Sequence, residues 1–434
     1  MKRAMIWLVA TVGIACGVAA GLEADDNAPR ADSPKGKWGR VTPIADGNHP
    51  NLYYDRGEIE ELRRMMLVQH SPQHLFDRYT TEIRDAVAVK TIPDNKSPHH
   101  TNMKAALSYA IEPTDAKAAA IRASLLSYLD AFPGGLPGWY ETPGCYFSGY
   151  SAPWMFDLIL AYHPDTLSDE EKARLKDWFK KSAVNLKFDT RNPGAPSQSG
   201  RDVVPPETRE GKTMVPFPNW YSRYMGPSLA CAQVSGDQGA VDYWADSGWP
   251  HDLLTFEGVT YPGGTHPSDA ANRYDLVMYL LAVYPSGANT DTYTREGYRL
   301  PEGDWYTTDY TSGGYHFGQM SGAVLGAEMA YHNGMTGVFG LTDKGTEPAL
   351  LRHFKRAIQS RTEIDRRPGN KFAHPVIGFS QEIWPGYRRY ADPAIESAVS
   401  RTEDSKTDEL ELPAAVWEFF GYPRRIVRPA QDGQ

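Results

Sequence analysis

Apolar residues recur at helical spacing along most of the chain. The runs cover roughly 57–88, 103–111, 114–131, 151–163, 167–185, 219–234, 238–255, 268–284, 318–333 and 345–361. The stretch DEEKARLKDWFKKSAV keeps a charged face, and it opens on Ser168 followed by three acidic residues, a cap and first turn suited to the helix dipole. The 268–284 run differs. Leu276, Val277, Met278, Leu280, Leu281 and Val283 leave it no charged face, so it belongs inside the molecule. Amphipathic and wholly apolar helices in succession predict an all-α fold: an incomplete (α/α) toroid of paired inner and outer helices. After about residue 364, short apolar runs alternate with basic residues and Pro, a pattern that fits strands or irregular packing. Residues 365–434 are expected to pack on the main domain, 49–364.

The chain starts with Lys2 and Arg3, continues with an apolar run too short to span a bilayer, and reaches the small residues Val18, Ala19 and Ala20. This predicts a secretory signal over 1–20 and a secreted or periplasmic protein with no membrane span. Acylation at Cys16 is the second reading. Residues 21–48, rich in Asp, Pro, Lys and Gly, predict a flexible leader. Of the 3 cysteines, Cys145 and Cys231 remain after the signal; they are free to pair, and neither has a metal-like spacing. Neither a metal site nor a cofactor is expected.

A formal net charge of -9 argues against a nucleic-acid or anionic-membrane partner, both of which need a basic surface. An acidic polymer is still compatible, because it needs only a local basic cleft. The aromatic fraction of 12%, with 11 Trp and 25 Tyr, is high. Such rings fill cores, and they also stack on sugar faces in carbohydrate clefts.

Two segments carry candidate chemistry where apolar helices begin. In YPGGTHPSDAANRY, Ser268 and Asp269 read as cap and first turn, and His266, Arg273 and Tyr274 are the reactive groups. In PNWYSRYMGPSLACAQ, Asn219 and Trp220 stand at the helix start, with Arg223 and Tyr224 one turn on. Long loops add Trp139, Tyr140, Tyr146, Tyr150, Arg201 and Arg209, and YTSGGYHFGQMSGA adds Tyr315 and His316 at another helix start. Each has an ordinary structural alternative: cap, core ring or salt bridge.

At these residues the sequence resembles the alginate lyase superfamily of α/α-toroid polysaccharide lyases, as in polysaccharide lyase families 5 and 38, with wider similarity to heparinase-type lyases. HPNLYYDRGEIEELRRM is similar to the opening of that domain. NWYSRYMGPSLACA resembles the helix that carries the family's neutralising Asn followed by His, and FEGVTYPGG with NRYDLVMYLLAVY resembles the segment bearing its catalytic Tyr. The resemblance spans roughly residues 50–360, and Asn219 and Tyr274 stand 55 positions apart, close to the family's separation.

The resemblance implies β-elimination on a uronic-acid polymer. Asn219, with Arg or His help, would supply donors to the carboxylate that takes up charge as the C5 proton leaves. Tyr274 would remove that proton, return one to the departing oxygen, or both. A phenol with a pKa of about 10 needs a nearby cation to serve as base, and Arg273, Arg223 and His266 are candidates. Two positions depart from the family pattern: Trp220 stands where His follows Asn, and Pro267 and Ser268 occupy the region of an Arg two turns before the Tyr. Either His266 takes over a role or Tyr274 acts alone, which would favour mannuronate or glucuronate blocks. Trp139, Tyr140, Tyr146, Trp220, Tyr224, Tyr315 and His316 would then contact an anionic polysaccharide.

Two rivals stand beside this reading. An α/α-toroid glycoside hydrolase would need two carboxylates flanking the scissile bond, for which Glu141, Glu257 and Asp269 are available. A non-catalytic glycan-binding protein would need only the aromatic loops.

Overall fold

The computed structural model describes residues 39–91, 98–137, 147–185, 218–245, 252–256, 259–263, 276–281, 298–299, 305–306, 312–342, 347–359, 362, 381–401 and 412–427. The side chains of 218–224, 252–256, 259–263, 278, 279, 281, 298–299, 305–306 and 312–319 are outside the description.

The framework is helical, as expected. Four buried helices form its inside: α3 (His99–Ile111), α5 (Ser148–Tyr162), α7 (Pro218–Ser235) and α10 (Ser312–His332). They run parallel. At the N-terminal ends of α3 and α5 the rings of His99 and Phe147 stack at 4.9 Å, and at their C-terminal ends the Tyr109 hydroxyl meets His163 Nδ1 at 2.7 Å. One extended segment joins the C-terminal ends of the other three. The Ile44 amide donates to the Gln233 carbonyl at the end of α7, and that of Thr42 to Asn333 just past α10. The amides of Asn51 and Leu52 donate to the Asp157 carboxylate in the last turns of α5, each at 3.0 Å.

Outer helices run back between them. α4 (Asp115–Ala131) starts with Asp115 beside His163 at the end of α5, at 3.2 Å, and near its own end Tyr128 donates to Ser148 Oγ at the start of α5. α6 (Asp169–Asn185) pairs Lys176, near its middle, with Asp46 and ends where Asn185 donates to the Gly134 carbonyl, beyond the end of α4. Ser168 caps the helix as expected from the sequence, and the structure adds a capping box, with the Glu171 amide donating to Ser168 Oγ and the Ser168 amide to Glu171 Oε2. Parallel inner helices joined by antiparallel outer ones make the paired-helix pattern of the expected toroid.

The remaining elements differ more from the sequence reading. The 57–88 run is not one helix. It breaks into α1 (Arg56–Arg63), a π-helical stretch Arg64–Gln69, α2 (Gln73–Arg78) and a second π-helical stretch Tyr79–Ile83. His70, at φ 50, and the Ser71–Pro72 pair end the first part, because the residue before a proline disfavours the α region. Among the described residues of the 238–255 run, α8 (Gln238–Ala245) is helical, whereas Asp252–Phe256 is a strand, β1, paired antiparallel with β2 (Val259–Gly263). Thr255, Phe256, Val259, Thr260 and Tyr261 are the β-branched and aromatic residues that favour this. Helix α9 is described over Leu276–Leu281, and β3 (Tyr298–Arg299) pairs with β4 (Trp305–Tyr306). Past α11 (Ala349–Gln359), the C-terminal stretch forms short helices where strands or irregular packing were expected: α12 (Trp384–Arg389), α13 (Pro393–Val399) and α14 (Ala414–Phe419).

This C-terminal stretch bridges the first and last inner helices. The Tyr54 hydroxyl donates to the Phe419 carbonyl, Phe420 packs between Tyr53 and Trp154, and α14 lies against α3. Arg389 reaches α10, where its guanidinium holds Glu328. Packing also begins earlier than Pro50: Val41 and Ile44, inside the stretch read as a flexible leader, are buried. Many aromatic residues are core, with Trp154, Trp178, Trp244 and Trp417 fully buried. Cys231 is a buried free thiol on α7, and Cys145 lies outside the described residues. No helix among the described residues is long and apolar enough to cross a membrane.

Candidate active site at the heads of the inner helices

Because the four inner helices are parallel, their N-terminal ends lie on one side of the array, and the 42–52 segment crosses the C-terminal ends of α5, α7 and α10 on the other. That geometry sorts the sequence candidates. Asn219, Trp220, Arg223 and Tyr224 occupy the first turns of α7, and Tyr315 and His316 the first turn of α10. Tyr274, His266, Arg273, Trp139, Tyr140, Tyr146, Arg201 and Arg209 lie outside the described residues, as do Glu141, Glu257 and Asp269.

Two glycine contacts fix the register of α7 against α10. A Cβ on Gly226 would come within 3.0 Å of Gly322 Cα, and one on Gly326 would lie 3.7 Å from Leu229 Cδ2. Gly226 thus sits beside Gly322 and Leu229 beside Gly326, so the helices advance together. Asn219 and Arg223 precede Gly226 by seven and three residues, positions on the same helix face. Tyr315 precedes Gly322 by seven, so Asn219 and Tyr315 stand level, about 10 Å above the crossing. Pro227, directly below, cannot donate to the Arg223 carbonyl, which leaves an acceptor near the head of α7 outside the helical ladder.

Tyr150 forms the floor under this seam. Expected in a loop, it is instead in the first turn of α5, fully buried, with its hydroxyl against Gly226. A Cβ at Gly226 would meet that hydroxyl at 2.6 Å. The spacing of Gly318, Gly322 and Gly326 was the readable signal for the close helix approach; the sequence reading did not use it.

The described tyrosines of the core are not poised as bases. Burial pushes the phenols of Tyr53, Tyr54, Tyr79, Tyr109, Tyr162, Tyr390 and Tyr422 above their ordinary value. A phenolate base needs the opposite, a cation in a solvated cleft.

One buried cluster could be mistaken for a metal centre. Asp55, Glu58 and His332 offer ligand atoms within 4.8 Å of one another. Glu58 is already committed: Arg388 and Arg389 pair with one oxygen, and His332 Nε2 lies 2.8 Å from the other. Burial would raise the Glu58 carboxyl, but Arg388, His332 and Arg389 outweigh it and hold the group well below the usual carboxylate range. Asp55 caps α1 by accepting from the Glu58 amide at 2.7 Å. A cation here would have to displace two guanidinium groups, so the cluster joins α1, α10 and α12 rather than serving as a binding site.

No protein-family model matches the chain, and no curated protein sequence matches it. Among solved structures, the chain is similar to the crystal structure of alginate lyase A1-III from Sphingomonas species A1, with 10% sequence identity over 79% of this chain and 87% of that one and a TM-score of 0.45.

Proposed function

We propose that the protein is a polysaccharide lyase that cleaves a uronic-acid polymer by β-elimination at the heads of its inner helices. One observation supports this reading: α7 and α10 run parallel and in step, so the backbone positions of Asn219 and Tyr315 are level at the N-terminal end of the helix array, with Arg223 one turn further in. Four helix N-termini add their partial positive charge there, which favours a polyanion locally in a chain of net charge -9. The sequence resemblance supplies the roles. Asn219, with Arg223 and His266, donates to the uronate carboxylate as charge spreads onto it. Tyr274 removes the C5 proton and returns a proton to the leaving oxygen, with Arg273 or Arg223 favouring its phenolate. Trp139, Tyr140, Tyr146, Trp220, Tyr224, Tyr315 and His316 line the polymer's path. Mannuronate-rich alginate and glucuronan are the preferred substrates, because one phenol can serve both proton transfers on a single ring face. Secretion through the 1–20 signal completes the reading.

Variants test the assignment. Tyr274→Phe is expected to lower kcat by roughly 10²-fold or more, the scale of a lost general acid–base group, with KM little changed. Asn219→Ala is expected to lower kcat by a similar factor. Full activity in Tyr274→Phe would remove the phenol from the mechanism.

A further inference from the structure

A half-open pocket lies at the end crossed by the 42–52 segment, opposite the helix heads. It has a volume of about 420 Å³ and is walled by Asp46, His49 and Leu160, by Pro164 just past α5, and by Asp169, Lys172 and Lys176 on α6. His49 is 5% exposed. Its Nδ1 faces inward to Asp157 at 2.6 Å, and its Nε2 is buried with no hydrogen-bond partner. Lys172 and Lys176 are one helical turn apart, and about a quarter to a third of each side chain is exposed. Lys172 pairs with Asp169 and Lys176 with Asp46. The two acids are far more exposed than the lysines: Asp46, beside the positive-φ Gly47, has a side chain 81% exposed, and Asp169 is fully exposed.

Asp46 shows what the basic groups recognise. Its carboxylate lies 2.6 Å from Lys176 Nζ. Lys176, His49 and Lys172 together hold it below its ordinary pKa against the effect of burial. The chain's own carboxylate thus sits among the three basic groups of the pocket, tethered only by a turn and screened by solvent.

We infer that this pocket is a binding site for a small carboxylate of monosaccharide size, held by Lys172 and Lys176, with His49 in the wall behind them, in the place taken by the Asp46 side chain. Asp46 acts as an internal competitor that the ligand displaces. The site is separate from the helix heads, and its existence does not depend on the lyase reading.

Isothermal titration of the full chain with glucuronate, glucose and inorganic phosphate tests it. Glucuronate is expected to bind and glucose not to. Asp46→Asn removes the competitor, so affinity for glucuronate is expected to rise by about two- to fivefold, the factor equivalent to a surface ion pair. Lys172→Ala/Lys176→Ala should abolish binding while circular dichroism and melting temperature show the fold retained. A misfolded double variant leaves the Asp46→Asn gain as the deciding result. Equal binding of glucose, phosphate binding as tight as glucuronate, retained binding in the folded double variant, or no gain in Asp46→Asn would each overturn the inference.

Discussion

Gly226 has almost no room for a side chain. A methyl group there would meet the Tyr150 hydroxyl, Tyr150 Cε1 at 2.7 Å and the α10 backbone together. Gly226→Ala is expected to force α7 and α10 apart and cost about 1–3 kcal/mol, read as a lower urea midpoint. Wild-type stability in that variant would mean that the helices do not cross there. The buried charges make a second residue-scale case. Arg389→Met removes the hydrogen-bonded partner of buried Glu328 and leaves it only Arg388 at 3.7 Å, so a loss of about 3–5 kcal/mol is expected. Glu328→Gln combined with Arg389→Met should lose less than Arg389→Met alone, because no charge is then stranded. The sign of the pH effect follows from Glu58. Its folded pKa is depressed, so its stabilisation is present above the ordinary value of 4.5 and fades as pH falls below it. Melting temperature should drop on acidification below that point, and less steeply in Glu58→Gln. At this scale the sequence was legible where the rule is local, as in the Ser168 capping box. Pairs such as Glu58 with Arg388, or His49 with Asp157, join residues more than a hundred positions apart, and no spacing announces them.

Among elements, the 42–52 segment holds the C-terminal ends of α5, α7 and α10 by hydrogen bonds. Asp157 is central, since its carboxylate accepts from His49 and from two backbone amides. Asp157→Asn is expected to cost roughly 2 kcal/mol and to speed proteolysis within residues 39–52. Unchanged cleavage would show that apolar contacts at Val41 and Ile44 suffice. Long apolar helices were read well: α4, α6, α7 and α11 fall within a few residues of their expected bounds. The failures share a cause. In 57–88 the apolar spacing continues through Pro72, and periodicity alone does not register a break that proline imposes; in 238–255 it does not separate a helix from the strand that ends the run.

For the whole molecule, the alternation of apolar and amphipathic helices pointed to inner and outer layers, and the parallel order of α3, α5, α7 and α10 agrees. The role of the C-terminal stretch was not legible, because it closes the array through contacts to both ends of the chain. A chain ending at residue 380 loses Arg388, Arg389 and Phe420 and strands Glu58 and Glu328 in the core. It is expected to lack a cooperative unfolding transition, whereas a sharp transition would make the stretch dispensable.

The proposed elimination at the helix heads has a direct chemical signature. Incubating the chain lacking residues 1–20 with polymannuronate and glucuronan, while following ultraviolet absorbance and reducing ends in parallel, tests it most directly. Elimination leaves a conjugated unsaturated uronate, so absorbance is expected to rise in step with new reducing ends. New reducing ends without absorbance would contradict the account and assign the cleft to paired carboxylates, and neither signal would leave it a glycan-binding surface.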